Sequence, residues 1–228
     1  MRAWIEGLGE HPTVLTVAGG IGSAVCAIGL QQAWGDWPAI LWAIGLAAFV
    51  GLPTLSTRLN RLQQGRRAAR SCIKKALSAC AAAYGHPEKH VRTNVMLVSG
   101  HRRRVDAETS CNMDGDPDRD LEIDDTAGVS GEAFVQRVTS YGDLSLALQP
   151  GGPTWGLRES ERGKVRRELR AILSVPIFDP DDPDGRLLGT LQVDSDLTIE
   201  EIEFDKPERR AVAERFADVV ALLCKTGR

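Results

Sequence analysis

Two neighbouring stretches decide the fold: LRAILSVPIF, Leu169 to Phe178, and LLGTLQVDSD, Leu187 to Asp196. Within them, Ala171 to Phe178 and Leu187 to Asp194 are short runs rich in Ile, Leu and Val. The residues between, DPDDPDGR from Asp179 to Arg186, mix Pro, Asp and Gly, which turn a chain back on itself. The spacing predicts an antiparallel pair of strands. Upstream, VRTNVMLVS, Val91 to Ser99, predicts another strand. From about Pro207 to Lys225 the sequence predicts a helix with Val212, Phe216, Val219 and Leu223 on its apolar face. Another helix is predicted over 58–84. Its seam is Leu59, Leu62, Ala69, Ile73, Ala76, Cys80 and Ala83, and Gly85, His86 and Pro87 end it. Helix, antiparallel strands and closing helix make an α+β domain. The seam suits packing on its own domain or on a twin, and the second makes the protein a homodimer.

The chain ahead of that helix has a different character. Residues 1–56 carry only Arg2, Glu6, Glu10 and Asp36 as full charges, which leaves 27 of the 28 basic and 28 of the 31 acidic residues to the remainder. Pro12 to Trp34 and Trp37 to Ser56 carry no formal charge. As helices rising ~1.5 Å per residue, each run is long enough for the ~30 Å hydrocarbon layer. Gly35 and Asp36 form a tight polar turn between them. A signal peptide has a shorter apolar core and is not followed at once by a second span. Trp4, Trp34, Trp37 and Trp42 fall where interfacial anchors sit. Small residues recur four apart on both runs (Ala18, Gly22, Cys26; Ala43, Ala47, Gly51), which lets helices approach closely, within the hairpin or between protomers.

Between 57 and 75 stand Arg58, Arg61, Arg66, Arg67, Arg70, Lys74 and Lys75 with no acid. That flank is expected to stay cytoplasmic and to meet anionic headgroups of the lipid bilayer. The expected organisation is a two-helix transmembrane hairpin over 1–56, a basic juxtamembrane linker helix over 57–75 and a domain over 68–228. The expected location is the inner (plasma) membrane, two-pass, with both termini cytoplasmic.

The strand pair and the segment after it resemble the GAF domain family. Leu169 to Ile177 is similar to the family's strand ending in "VPi". Leu187 to Asp196 is similar to its partner of the type "lGvLqvds", and Phe204-Asp205 precedes the closing helix as in the family. GVSGEAF, Gly128 to Phe134, resembles the segment where the chain enters a short helix. The resemblance covers roughly residues 68–226. It implies an antiparallel sheet flanked by helices on one face, and a ligand pocket closed by loops and short helices on the other. By the same resemblance, Trp155, Arg170, Ser174 and Asp194 belong on or near that pocket. Pro176 is expected to interrupt ladder pairing near an edge, and Gly189 to allow a bulge or a close approach.

Other constellations carry less. The acidic run Asp114, Asp116, Asp118, Asp120, Glu122, Asp124 and Asp125 has Arg119 where a calcium loop needs glycine, and Pro117 intrudes. It reads as a solvated acidic loop, with no metal. His86 and His90 lack a third ligand. His101 to Arg104 reads as a solvated basic tip after the first strand. Residues 76–228 hold 20 basic and 28 acidic residues, which disfavours a nucleic-acid partner. The cysteines Cys26, Cys72, Cys80, Cys111 and Cys224 show no metal-type spacing. Some GAF-like proteins reduce free methionine sulfoxide with pocket thiols, and here Cys111 alone falls in a suitable loop. The Cys-His pair of bilin-binding relatives and the asparagine-lysine motif of cyclic-nucleotide binders are absent, so the ligand's identity is open and no cofactor is named.

The resulting expectation is a non-enzymatic bacterial sensor. A small molecule fills the GAF-like pocket and alters how the juxtamembrane helix is held. Within these residues no kinase, cyclase or helix-turn-helix pattern follows the domain, so a separate signalling partner is expected to read the output. The alternative is a ligand-triggered, two-span membrane-disrupting effector of a bacterial defence system.

Overall fold

The computed structural model describes the backbone of residues 36–149, 155–182 and 185–226. From Arg58 onward it also describes their side chains, apart from Glu88, Ser99, Ala147, Leu148 and Thr226. The chain divides into two units, residues 1–67 and 68–228. Helix α1 runs without a break over Asp36–Ala83. The first predicted span and Gly35 of the turn after it lie outside the described residues, while Asp36 of that turn is the first residue of α1. The second predicted span has helical backbone inside α1, but its side chains also lie outside them. Among the described residues no helix is long and apolar enough to cross a membrane, so they give the two-span anchor no support of their own.

The second unit is an antiparallel sheet with helices. After α1 come β1 (Val91–Ser99), β2 (Arg102–Val105), β3 (Glu122–Asp124) and α2 (Gly128–Gln136). Then follow β4 (Ser140–Asp143), α3 (Leu144–Leu148), α4 (Glu159–Arg162), β5 (Ala171–Phe178), β6 (Leu187–Ser195), α5 (Ile199–Ile202) and α6 (Pro207–Thr226). The strand order is β3-β2-β1-β6-β5-β4. β5 and β6 pair antiparallel from Ala171↔Ser195 to Phe178↔Leu187, with an irregularity at Ile177/Phe178. β1 lies on the other side of β6, from Val91↔Ser195 to Leu97↔Gly189. Pro176 sits beyond Ser174, where β4 stops pairing with β5, so its missing N–H breaks no bond to β4.

Period-two alternation assigns each strand residue to a face. On one face Val91, Val95, Ala171, Leu173, Val175, Ile177, Leu191 and Val193 form the main core, with Ile73, Leu77, Cys80, Ala81 and Tyr84 of α1 and its end and Ala213, Ala217, Val220 and Ala221 of α6. Leu77 and Phe204 are fully buried there, each contributing about 2–3 kcal/mol of transfer free energy. The Thr93 hydroxyl also sits on this face and donates to the Leu77 carbonyl of α1 at 3.0 Å. At Gly189 β6 and β1 leave no room for a side chain: a Cβ there would stand 2.0 Å from the Met96 carbonyl oxygen.

Both helices turn a slightly different side to the sheet than their large apolar residues suggest. In α6 the most deeply buried positions are the alanines and Val220, Val212 and Phe216 pack at the margin, and Val219 is exposed. Alanines let the helix axis come close to the sheet, which moves the larger residues to the flanks. On α1 the buried positions are Ala69, Ile73, Leu77, Cys80 and Ala81, while Ala83 is exposed. Over this stretch the seam packs on its own domain. Nor is Arg102–Arg104 a solvated tip. It forms most of β2, Arg103 is fully buried, and Arg102 and Arg104 pair with acids of the segment that includes β3.

Candidate functional site

The opposite face of the same strands is polar. Its rows run across the register: Arg92 beside Asp194 beside Ile172, then Asn94 beside Gln192 beside Ser174, then Met96 beside Thr190 beside Pro176. An exposed polar face would be ordinary, but Arg92, Asn94, Ser174, Thr190, Gln192 and Asp194 are all buried. The segment between β2 and β4 and the chain between β4 and β5 cover them. Two small apolar clusters join the cover to the sheet, one around Met96, Val105, Met113 and Ile123, the other around Val129, Leu144, Val165, Leu169 and Ile172. Between floor and cover lies a cavity lined by Arg92, Asn94, Asp118, Gln192 and Asp194 at its polar end and by Met113, Leu157 and Trp155 among its apolar walls. The room for water centres inside is about 50 Å³. At roughly 10–15 Å³ per water this holds three or four waters, far less than the ~300–1,000 Å³ of pockets that take drug-sized ligands.

Arg92 organises the polar end. Its Nε donates to Asp194 Oδ2 at 3.2 Å, and its Nη1 to Asp116 Oδ2 at 2.8 Å and Asp118 Oδ1 at 2.9 Å. Nη2 donates to Asp118 Oδ2. Burial opposes the charge on Arg92, but the combined pull of Asp194, Asp118 and Asp116 outweighs it and holds the guanidinium firmly cationic. Three acids share this one cation, and Arg166 adds only a contact to Asp116 at 3.6 Å. Asp194, as deeply buried as Asp118, bears the imbalance. Burial pushes the Asp194 carboxyl up to about 6, Arg92 opposes the rise, and Asp118 and Asp116 add to it by repulsion. Asn94 Nδ2 donates to Asp194 Oδ2 at 3.3 Å. Asn94 Oδ1 and Asp194 Oδ1 are buried and receive no hydrogen bond from the described residues.

Of the predicted site residues, Trp155 and Asp194 line this cavity. The Trp155 backbone is left-handed, at φ +45°. Its carbonyl accepts from the Gly128 N–H at 2.7 Å, and its ring packs against Gly142, where a Cβ would stand 3.1 Å away. Ser174 is fully buried one row from Asp194 but is not among the lining residues. Arg170 is exposed and borders a different, open groove with Arg162, Arg167 and Asp196. The acidic run is not uniformly solvated. Asp118 is buried and Asp116 half-buried because both hold Arg92. Cys111 lies in the core on the helix side of the sheet, away from the cavity lining. Its neighbour Cys80 is raised to about 12, by burial first and Cys111 second, which keeps it a thiol.

Arg92, Asn94 and Gln192 went unsuggested by the sequence reading. Their signal is the alternation in TLQVD, where Thr190, Gln192 and Asp194 take every second position, matched by the spacing of Arg92 and Asn94 on the strand that pairs with it, although polar Thr93 lies between those two. Alternation says that one face is polar. It does not say whether water or a layer of loops covers that face.

A six-stranded antiparallel sheet with two long helices on one face and a covered polar cavity on the other defines a ligand-pocket α+β domain. The sequence matches the model of the GAF domain over residues 12–223, and the chain belongs to the GAF family. Among solved structures it is similar to the type II free methionine-R-sulfoxide reductase of Thermoplasma acidophilum, at 18% identity over 70% of this chain and 94% of that one, TM-score 0.48. It is also similar to the GAF domain/HD domain protein of Geobacter sulfurreducens, at 14% identity over 68% and 93%, TM-score 0.47. The blue-light-absorbing form of the PixJ GAF domain of Thermosynechococcus elongatus is similar at 19% identity over 71% and 89%, TM-score 0.45. No curated protein matches the chain.

Proposed function

We propose that this chain is a membrane-anchored sensor without catalytic activity, in which a small molecule held on the polar floor of the GAF cavity sets the state of α1. The observation that carries the reading is the covered floor. Buried Arg92, Asn94, Gln192 and Asp194 surround a cavity instead of a packed core, and a protein interior keeps such groups where they recognise something. The route out is short. Thr93, on the opposite face of the strand that carries Arg92 and Asn94, donates to the Leu77 carbonyl of α1. From there α1 is continuous back through the basic flank to the second apolar run. The membrane reading rests on the two uncharged runs and the basic residues after them, and places the domain on the cytoplasmic side. Leu59 and the exposed Leu62 extend the seam beyond the part packed on the domain, which supports pairing of two protomers there. A separate protein reads the result.

The test is hydrogen exchange of the full chain in lipid nanodiscs, before and after removal of any small molecule that co-purifies with it. The reading expects exchange in 68–84 to change together with exchange in β1. Identical exchange in both states overturns signalling through α1. Leakage of a dye from vesicles carrying the chain, lost when Gly22 and Gly51 are made bulky, points instead to the membrane-disrupting effector.

A further inference from the structure

The polar end of the cavity is too rich in acceptors for its donors. One guanidinium meets three carboxylates, and every one of its nitrogens is already committed to them. An anionic ligand finds no free cation there and meets the field of Asp116, Asp118 and Asp194. What remains unused at Asp194 and Asn94 is acceptor capacity, while the Ser174 and Thr190 hydroxyls on the same face have no partner among the described residues. Asp194 Oδ1 and Asn94 Oδ1 belong to cavity-lining side chains that are 3% and 1% exposed, and neither accepts a hydrogen bond from the described residues. The Asn94 amide is oriented by its own bond from Nδ2 to Asp194 Oδ2, which leaves the oxygen as the free end. Two buried acceptors without a donor are costly, and their common complement is a group with several N–H donors and a positive charge.

Resting on the ligand-cavity reading above, we infer that the molecule taken by this cavity is a small organic cation, an ammonium, amidinium or guanidinium group, received at the polar end lined by Asp194 and Asn94. The size agrees. Room for three or four waters fits about four heavy atoms, which guanidinium fills with little to spare and the two-atom methylammonium enters with room left. The remaining walls suit such an ion's apolar part, and the Trp155 ring supplies a π-face of the kind cations favour. Charge linkage gives the site a signature. The groups facing Asp194 are Arg92 on β1 and Asp116 and Asp118 on the covering segment. Burial among them keeps Asp194 partly protonated below pH about 6, and a cation binds only the ionised form.

The experiment is calorimetric titration of the full chain in detergent with methylammonium, guanidinium, urea and acetate at non-denaturing concentrations and constant ionic strength. The two cations are expected to bind one per chain. Their affinity should tighten by about tenfold per pH unit below pH 6 and level off above it. Asp194→Asn should weaken binding at pH 7 by tenfold or more, and the pH profile of the unmodified chain tests the same point should that variant fold poorly. Binding of urea or acetate without the cations overturns the cation assignment and leaves the ligand cavity standing. Binding of cations with no pH dependence also overturns it, because the ion would then sit away from Asp194. Failure of all four probes overturns the inference, and the small molecule sought by co-purification decides separately whether the cavity reading falls with it.

Discussion

Replacing Arg92 by Met tests the electrostatic centre of the site. The side chain is 5% exposed and donates to Asp194, Asp116 and Asp118. Methionine fills much of the volume but supplies no donor and no charge. Asp116, Asp118 and Asp194 are then left around one buried point without a cation. Breaking a buried ion pair from one side costs about 3–5 kcal/mol, because the remaining charge keeps its desolvation penalty and loses its compensation. For a domain of this size that corresponds to a fall in melting temperature on the order of 10 °C. The assay is thermal unfolding of the full chain in detergent at pH 8, followed by near-ultraviolet circular dichroism. Adding Asp194→Asn removes one of the stranded charges, so Arg92→Met with Asp194→Asn should recover about 1–2 kcal/mol of the loss. A loss below about 1 kcal/mol, or equal losses in the single and double variants, would refute the claim that Arg92 holds the acids together.

Three further outcomes follow from the same geometry. Asp194 rises from 3.8 to about 6 on folding. Its contribution to stability is therefore complete below the lower value and lost as pH passes through the upper one. Asp194→Asn should gain about 2 kcal/mol relative to the unmodified chain between pH 4 and pH 7, and a flat difference in denaturation free energy across that range contradicts this. Arg103 is the opposite kind of arginine. Burial lowers it to about 10, its Nε and Nη1 have no partner among the described residues, and its Nη2 donates to the Ala127 carbonyl at 2.8 Å. The relief of that buried charge and the loss of its bonds nearly cancel, so Arg103→Met should change stability by less than about 1.5 kcal/mol in the same melt. Gly189→Ala places a Cβ 2.0 Å from the Met96 carbonyl oxygen. It should cost about 3 kcal/mol by forcing β6 from β1, seen as faster amide exchange along both strands.

The strand pair, the first strand and the closing helix are legible from local signals: apolar runs, a Pro-Asp-Gly turn and a helical period. β2 and β3 are not. RRRV carries three cations and EID spans three residues; β2 is a strand because β1 offers it an edge, and β3 because β2 then offers the next one. The helix faces are read with a small rotation because large apolar residues attract attention, while alanines decide which side comes closest to the sheet. The site is the least legible part. Asp194 and Trp155 are reached through the family resemblance, whereas Arg92 depends on a partner set from β6 and from the acidic segment at 116–118. Within a short window an arginine between Val91 and Thr93 looks like a solvent-facing strand position. Only the register with Asp194 and the covering segment turn it inward. The acidic run misleads for the same reason, since spacing shows its charge but not which members find a buried cation.

The most direct test of the cavity as a small-molecule site uses its own methionines. The chain has three, and Met96 and Met113 both line the cavity, so a methyl-labelled full chain gives three resonances with Met1 as the internal reference. Titration with methylammonium, guanidinium, urea and acetate is predicted to shift the Met96 and Met113 methyls saturably for at least one probe while Met1 stays in place. Unchanged Met96 and Met113 methyls for every probe, or shifts shared equally by Met1, would contradict the claim that the cavity admits molecules of this size.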